Sequence, residues 1–212
     1  MVDVLDFVLV HLRKPPARVL EVGCGTGELS LALAQRGFDV TAIDPEAPDG
    51  PIFRKVSLET FSEPGNFDVV VASRSLHHIE DLEGGLDKIH LLLQPGGLLI
   101  LNEFAWDHMD QDTARWYRAH ADRPTHKDES LRQDNFPDAW IHEHQGMHTS
   151  TAMRAALDDR FELQSFEWLP YMAEHYLGRE DLIAQERSEI ESGKIKPIGF
   201  RYVGRRTLGA PP

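Results

Sequence analysis

Glycine at every second position in Gly23-Cys24-Gly25-Thr26-Gly27 constrains this chain more than any other feature. The apolar run Val19–Val22 precedes it, and an amphipathic stretch opens at Glu28 just after it. The pattern reads as strand, tight turn and helix. A backbone that bends this sharply, and lets a ligand come close, needs residues without a Cβ. Several nucleotide-binding folds share such a turn, so it marks a ligand site without naming the ligand.

The residues around the turn narrow the choice. A phosphate loop needs lysine followed by serine or threonine after its last glycine, and here Glu28 and Leu29 follow Gly27. A dinucleotide fold spaces its glycines G-x-G-x-x-G and seats pyrophosphate on the helix N-terminus. This chain has G-x-G-x-G, and Glu28 at the helix start repels a pyrophosphate. Glu21, two residues before the first glycine, suits a cationic ligand better than a phosphorylated one.

The rest of the chain alternates in the same way. Helical spacing runs from Val2 to Leu12 and stops at Lys14-Pro15-Pro16. Arg18–Val22 is the first strand, and the helix after the turn runs to Arg36, with Gly37 closing it. Phe38–Ile43 is a second strand ended by Asp44-Pro45, and Pro51–Val56 a weak third at an edge. Phe67–Ala72 is a continuous apolar run, as expected of a strand covered on both faces. A helix from Asp81 to Gln94 stops at Pro95-Gly96-Gly97, and Leu98–Asn102 is another buried strand. This alternation predicts a parallel, doubly wound α/β sheet. Beyond Glu103 the pattern breaks: residues 104–160 read as several short helices. Phe161–Leu169, Glu180–Glu191 and Ile198–Val203 then read as strand, charged helix and strand.

A chain of 212 residues with 41% hydrophobic and 27% charged composition suits a single domain. A net charge of −13 disfavours nucleic acid and anionic membranes as partners. Arg201, Arg205 and Arg206 are the only dense basic group, read here as a solvated tail. The lone Cys24 excludes an internal disulfide, fits a reducing cytoplasm, and reads as a small turn residue, not a nucleophile. No apolar run reaches the length of a membrane span, and no basic leader segment is expected at the start.

Four stretches in order, 19–27, 42–45, 67–80 and 92–103, resemble the class I S-adenosylmethionine-dependent methyltransferases, close to the type-11 methyltransferase domain. The pairing of Phe67–Ile79 with Leu93-Gln94-Pro95-Gly96-Gly97 carries most of the likeness. The resemblance implies a Rossmann-like sheet of seven strands with the last antiparallel. It also implies one domain over residues 1–212, with 104–160 inserted between strands five and six as a helical lid. The implied cofactor is S-adenosyl-L-methionine, and the implied partner a small-molecule methyl acceptor. Glu21, Gly23, Cys24 and Gly25 would line its methionine end, and Asp44 would take both ribose hydroxyls. Pro45 would sit beside the adenine, with Ser57 and Leu58 next to it, and Ser73 and Arg74 would end the fourth strand at the amino group. Ser57 stands where the family commonly has an acid, so adenine recognition loses charge assistance unless Glu59 reaches in.

No catalytic signature is evident. His77, Glu103, His144 and His148 are weak candidates for a general base, and Arg74 faces either an anionic substrate group or a nearby acid. The run Trp140–Ser150 reads as a lid carrying a histidine, with Thr149 capping the next helix. His142, His144 and His148 lack a structural-zinc spacing, so no metal is expected. Trp106, Trp116, Tyr117, Trp168 and Tyr171 suit either an aromatic pocket or the core. The rival readings are a non-catalytic cofactor-binding or scaffold protein, a nucleic-acid or protein methyltransferase, and a nicotinamide oxidoreductase.

Overall fold

A computed structural model describes residues 4–121, 129–133 and 136–207. Strand β1 (Arg18–Val22) lies between β2 (Asp39–Ile43) and β4 (Phe67–Ser73), parallel to both. Strand β3 (Phe53–Arg54) closes one edge as a two-residue pairing, shorter than the 51–56 expected from sequence. Strand β5 (Leu93–Phe104) pairs parallel with β4. It starts five residues before the expected Leu98. Phe67 pairs with Leu93, and the ladder shifts register across Pro95-Gly96-Gly97, with Gly96 at φ +77°. β6 (Phe161–Leu169) and β7 (Gly199–Arg206) complete the order β3-β2-β1-β4-β5-β7-β6, in which β7 alone runs antiparallel. This is the seven-stranded doubly wound sheet implied by the sequence.

Side chains alternate across the sheet, so each strand feeds two cores. Val19, Val69, Val71, Ile100 and Val203 face helices α1 (Val4–His11) and α2 (Glu28–Gln35). Leu20, Val22, Val70, Ala72, Leu99 and Leu101 face the opposite layer, where α3 (Leu82–Leu92) packs with α7 (Ser150–Asp158). The expected start of α1 at Val2 lies outside the described residues. Gly37 takes φ +88° past the end of α2, where its amide and that of Phe38 close on Ala34 and Leu33. Thr149 caps α7 by accepting from the Ala152 amide at 3.0 Å.

The insertion builds a third core. Helices α4 (Gln111–His120), α5 (Glu129–Arg132) and α6 (Asp138–Glu143) bring Tyr117, Leu131 and Trp140 against Phe104, Met172, Ala173 and Ile198. Its partners therefore include the segment between β6 and α8 (Ile183–Glu191), and that segment is what the insertion supports. Trp116 and Tyr117 are buried here as core residues, whereas Trp168, on the edge strand β6, packs on His108 and Phe200.

The basic group near the C-terminus is a strand, not a solvated tail. Arg201 is buried on β7, donates to the Asn102 amide oxygen at 3.2 Å and lies over the Phe7 ring. Arg205 and Arg206 donate to the carbonyls of Gly96 and Leu93. The antiparallel pairing of β7 with two neighbours pulls these residues into the sheet, where their stems cover apolar surface.

Gly204 tests the packing of β7. A Cβ there would stand 2.6 Å from the Tyr202 ring and 2.7 Å from the Phe161 Cβ. Gly204→Ala is expected to cost roughly 1–3 kcal/mol in urea unfolding, as overpacking does. A neutral result would mean that β6 and β7 yield freely.

Candidate functional site

The switch point of an open α/β sheet lies where neighbouring crossovers diverge, here at the ends of β1 and β4. A cleft of about 930 Å³ opens there. Its lining includes all ten residues that the sequence assigns to a ligand: Glu21, Gly23, Cys24, Gly25, Asp44, Pro45, Ser57, Leu58, Ser73 and Arg74. Glu59 lines it too, beside Ser57.

The glycines in the turn have different reasons to be glycine. A Cβ on Gly23 (φ +72°) would sit 2.3 Å from the Ser75 Cβ, because the β4 loop presses against the turn and Ser75 Oγ donates to the Val22 carbonyl at 2.7 Å. A Cβ on Gly25 (φ +50°) would meet nothing within 4 Å, because that face of the residue opens into the cleft. The amides of this turn are already committed. Gly23 and Cys24 donate to the Ile43 carbonyl, Gly27 to the Cys24 carbonyl, and Gly25 to Asp44 Oδ2 at 3.0 Å. A pyrophosphate cradle needs such amides aimed at the ligand, and four of them are taken.

The electrostatics match that geometry. Glu21 is buried and accepts from Ser30 Oγ on α2. Burial pushes its pKa up to about 7, against the Ser30 bonds, and the nearby Asp44 raises it further. Asp44 accepts one hydrogen bond on each oxygen, from Gly25 and from Glu46, so each oxygen retains a lone-pair site. Burial also pushes the Cys24 thiol up to about 12, which makes it inert as a nucleophile.

Two buried carboxylates shape the other side of the cleft. Glu103, at the end of β5, accepts from the amides of Ser75 and Leu76 at 2.9 and 2.7 Å, from its neighbour Phe104, and from His77 Nδ1 at 2.6 Å. It holds the β4 loop in place, and so is a clamp and not the base weighed from sequence. Glu186 on α8 does the same for the turn after β6, accepting from Tyr171, Met172 and Ala173 at 2.8, 2.9 and 2.8 Å. That turn puts Tyr171, Glu174 and His175 into the cleft. Nothing local in the sequence pointed to Glu174, His175 or Glu186; only the three-dimensional pairing of α8 with the turn does. Val4 and Leu5 of α1 also line the cleft.

The histidines separate. His77 lines the cleft while bonded to Glu103, and burial lowers the pKa of its neighbour His78. His144 and His148 are absent from the lining, which corrects their candidacy as bases. His144 is buried between Trp106 and Trp140, bonded to the Trp140 carbonyl, and burial lowers its pKa. His148 ties the insertion to the β4 loop: its amide donates to the His77 carbonyl and its Nε2 to that of Ile79 at 2.7 Å. No described residue of 104–160 lines the cleft; Tyr171, Glu174 and His175 of the turn after β6, with Val4 and Leu5 of α1, do. Among the described residues no cluster of three or more His, Cys, Asp or Glu could hold a metal.

Comparisons with known proteins agree on a family. A family model described as a methyltransferase domain matches residues 2–163. A ubiquinone biosynthesis O-methyltransferase from Xanthomonas campestris is 37% identical over 113 residues, covering 46% of this chain and 47% of the relative. The match thus spans under half the length of that relative. An S-adenosylmethionine-dependent methyltransferase from Mesorhizobium loti superposes with a TM-score of 0.60 at 18% identity, covering 94% of this chain and 96% of the other. The cyclase SpnF superposes at 0.54 with 18% identity, covering 97% and 81%. At these identities the structures show a shared fold.

Glu21 carries a test. Its folded pKa, about 7, exceeds the ordinary 4.5, so between those values the folded chain holds more protons than the unfolded one. Stability therefore falls as pH rises through that window, by up to about 3 kcal/mol above it. Glu21→Gln is expected to match the natural protein in urea unfolding near pH 4.5 and to exceed it at pH 8. Equal stability at both pH values would show that the carboxylate is not held in a desolvated place.

Proposed function

The chain belongs to the methyltransferase-domain family, and on that premise we propose that it transfers the methyl group of S-adenosyl-L-methionine to an O, N or C atom of a small molecule. The observation that carries the reading is the pairing of committed turn amides with clustered acids. Glu21, Glu28 and Asp44 line a cleft whose glycine turn has few amides left for phosphate, which favours a cationic, ribose-bearing ligand.

The donor set fits that cofactor. Glu21 and the backbone of Gly23, Cys24 and Gly25 would hold the methionine end, with the open face of Gly25 allowing close approach. The remaining lone pairs of Asp44 would accept both ribose hydroxyls. Pro45, Ser57 and Leu58 would flank the adenine, and Glu59 lies beside them to accept from its amino group. Ser73, with the backbone of Arg74, would complete the site at the end of β4. When bound, the cofactor supplies an electrophilic methyl group on a sulfonium. The protein's contribution is position, orientation and exclusion of water. Tyr171–His175 and α1 cover the cleft, and the Glu103 clamp holds the loop that faces the acceptor. His77, bonded at Nδ1, is the one histidine of the original candidates placed to take a proton from an acceptor. A cytoplasmic site of action, without nucleic acid or membrane as partner, accords with the acidic composition. No described helix is long and apolar enough to cross a membrane.

A second reading keeps the cofactor without catalysis, as a non-catalytic cofactor-binding or scaffold protein of the same fold. Ser57 replaces the expected acid, and the fold is shared with the cyclase SpnF, so cofactor binding without methyl transfer is the alternative.

Isothermal calorimetry with S-adenosylmethionine, S-adenosylhomocysteine and NADH separates these ideas from an oxidoreductase. Binding of the first two and not of NADH is expected; the reverse overturns the proposal. Asp44→Ala is expected to weaken S-adenosylhomocysteine by about 1–3 kcal/mol, and an unchanged affinity removes Asp44 from the site.

A further inference from the structure

Arg74 is the only lysine or arginine among the described residues lining the cleft, which also presents Glu21, Glu28, Asp44, Glu59 and Glu174. Its backbone is left-handed, φ +55°, a conformation that non-glycine residues rarely adopt. The Arg74 amide donates to the Asn102 carbonyl at 2.8 Å, and the next amide, Ser75, donates to Glu103, which fixes that conformation. The guanidinium runs to the turn after β6, with Nη1 3.3 Å from His175 Nδ1, and Tyr171 of that turn lines the same cleft.

Neither partner neutralises it. Arginine has donors only, so His175 Nδ1 is the acceptor in this contact, and an imidazole brings no negative charge. Burial pushes the Tyr171 hydroxyl up to about 12, which keeps it a phenol. Among the described residues, no carboxylate pairs with Arg74 in the way that Asp39 pairs with Arg18 or Glu63 with Arg54. A full positive charge therefore stands in the same cleft as the sulfonium of the proposed donor. A planar fork of N–H donors, with a phenol and an imidazole beside it, matches a carboxylate.

We propose that Arg74, Tyr171 and His175 form a carboxylate-binding site for the methyl acceptor, so that the acceptors are small molecules bearing an acidic group. The inference rests on the methyl-transfer reading above. The carboxylate would anchor the acceptor at one point and leave its nucleophilic atom free to meet the methyl group.

The test titrates benzoate, a carboxylate with no group to methylate, into protein loaded with S-adenosylhomocysteine. The natural protein, Arg74→Gln and Tyr171→Phe are compared by calorimetry. Benzoate is expected to bind the natural complex, roughly tenfold more weakly to Arg74→Gln and a few-fold more weakly to Tyr171→Phe. S-adenosylhomocysteine is kept saturating for each protein, and equal urea-unfolding midpoints of the three show that the variants fold. If the natural complex takes up no benzoate at millimolar concentration, or if the variants bind it unchanged, the proposal is overturned. A parallel arm uses 5′-methylthioadenosine, which lacks the cofactor's amino-acid end. If Arg74→Gln weakens S-adenosylhomocysteine but not methylthioadenosine, the guanidinium serves the cofactor's carboxylate and the acceptor site is overturned. Failure of the natural protein to bind S-adenosylhomocysteine overturns the methyl-transfer reading, and this inference falls with it.

Discussion

The Glu103 carboxylate, nearly inaccessible to solvent, gathers four donors at the end of β5, and the working face of the cleft depends on it. Burying a carboxylate is costly unless its lone pairs are filled. Here they are filled by the amides of Ser75 and Leu76 and by His77, so desolvation is offset by ordering one loop. Each of those donors, left without its acceptor, would cost about 1–3 kcal/mol. The loop also seats Ser75 against Gly23, which locks the glycine turn to the end of β4. Glu186 repeats the device on the opposite wall, with three successive amides of the turn after β6. Two buried acids thus hold two loops, and those loops carry Arg74, His77, Tyr171 and His175.

The turn itself works by exclusion. Its amides are spent on Ile43, Cys24 and Asp44, so it offers a bend and an open face where a phosphate-binding turn would offer donors. Acids at the three nearby positions Glu21, Glu28 and Asp44 set the sign of the field. The raised pKa of Glu21 shows the tension in that arrangement: a carboxylate kept desolvated beside another acid is a liability for folding and an advantage for a cationic ligand.

Much of this was legible in the residue order. Alternating apolar runs gave the sheet, because Val69 to Ala72 is covered on both faces and has no polar side to show. The turn and Asp44 follow strands, where local pattern and site coincide. What escaped depends on contacts between distant segments. Glu186 reads as one more acid on a charged helix until α8 is folded against Tyr171–Ala173. The histidine-rich run at 142–148 looked like chemistry; its density serves packing, with His144 between two tryptophans and His148 bridging to Ile79. Arg201 falls inside the strand expected at 198–203, but its burial depends on Asn102 of β5 and Phe7 of α1, partners that a local reading of the basic group does not show.

On the proposed function, the cleft at the ends of β1, β2 and β4 is a preformed seat for a cationic, ribose-bearing cofactor. A crystal structure of the chain grown with S-adenosylhomocysteine tests it most directly. The expected density places ribose hydroxyls on Asp44 and the thioether over the open face of Gly25, with the Ser75–Glu103 and Tyr171–Glu186 bonds unchanged. Ligand elsewhere, or Asp44 still bonded only to Gly25 and Glu46, would contradict it.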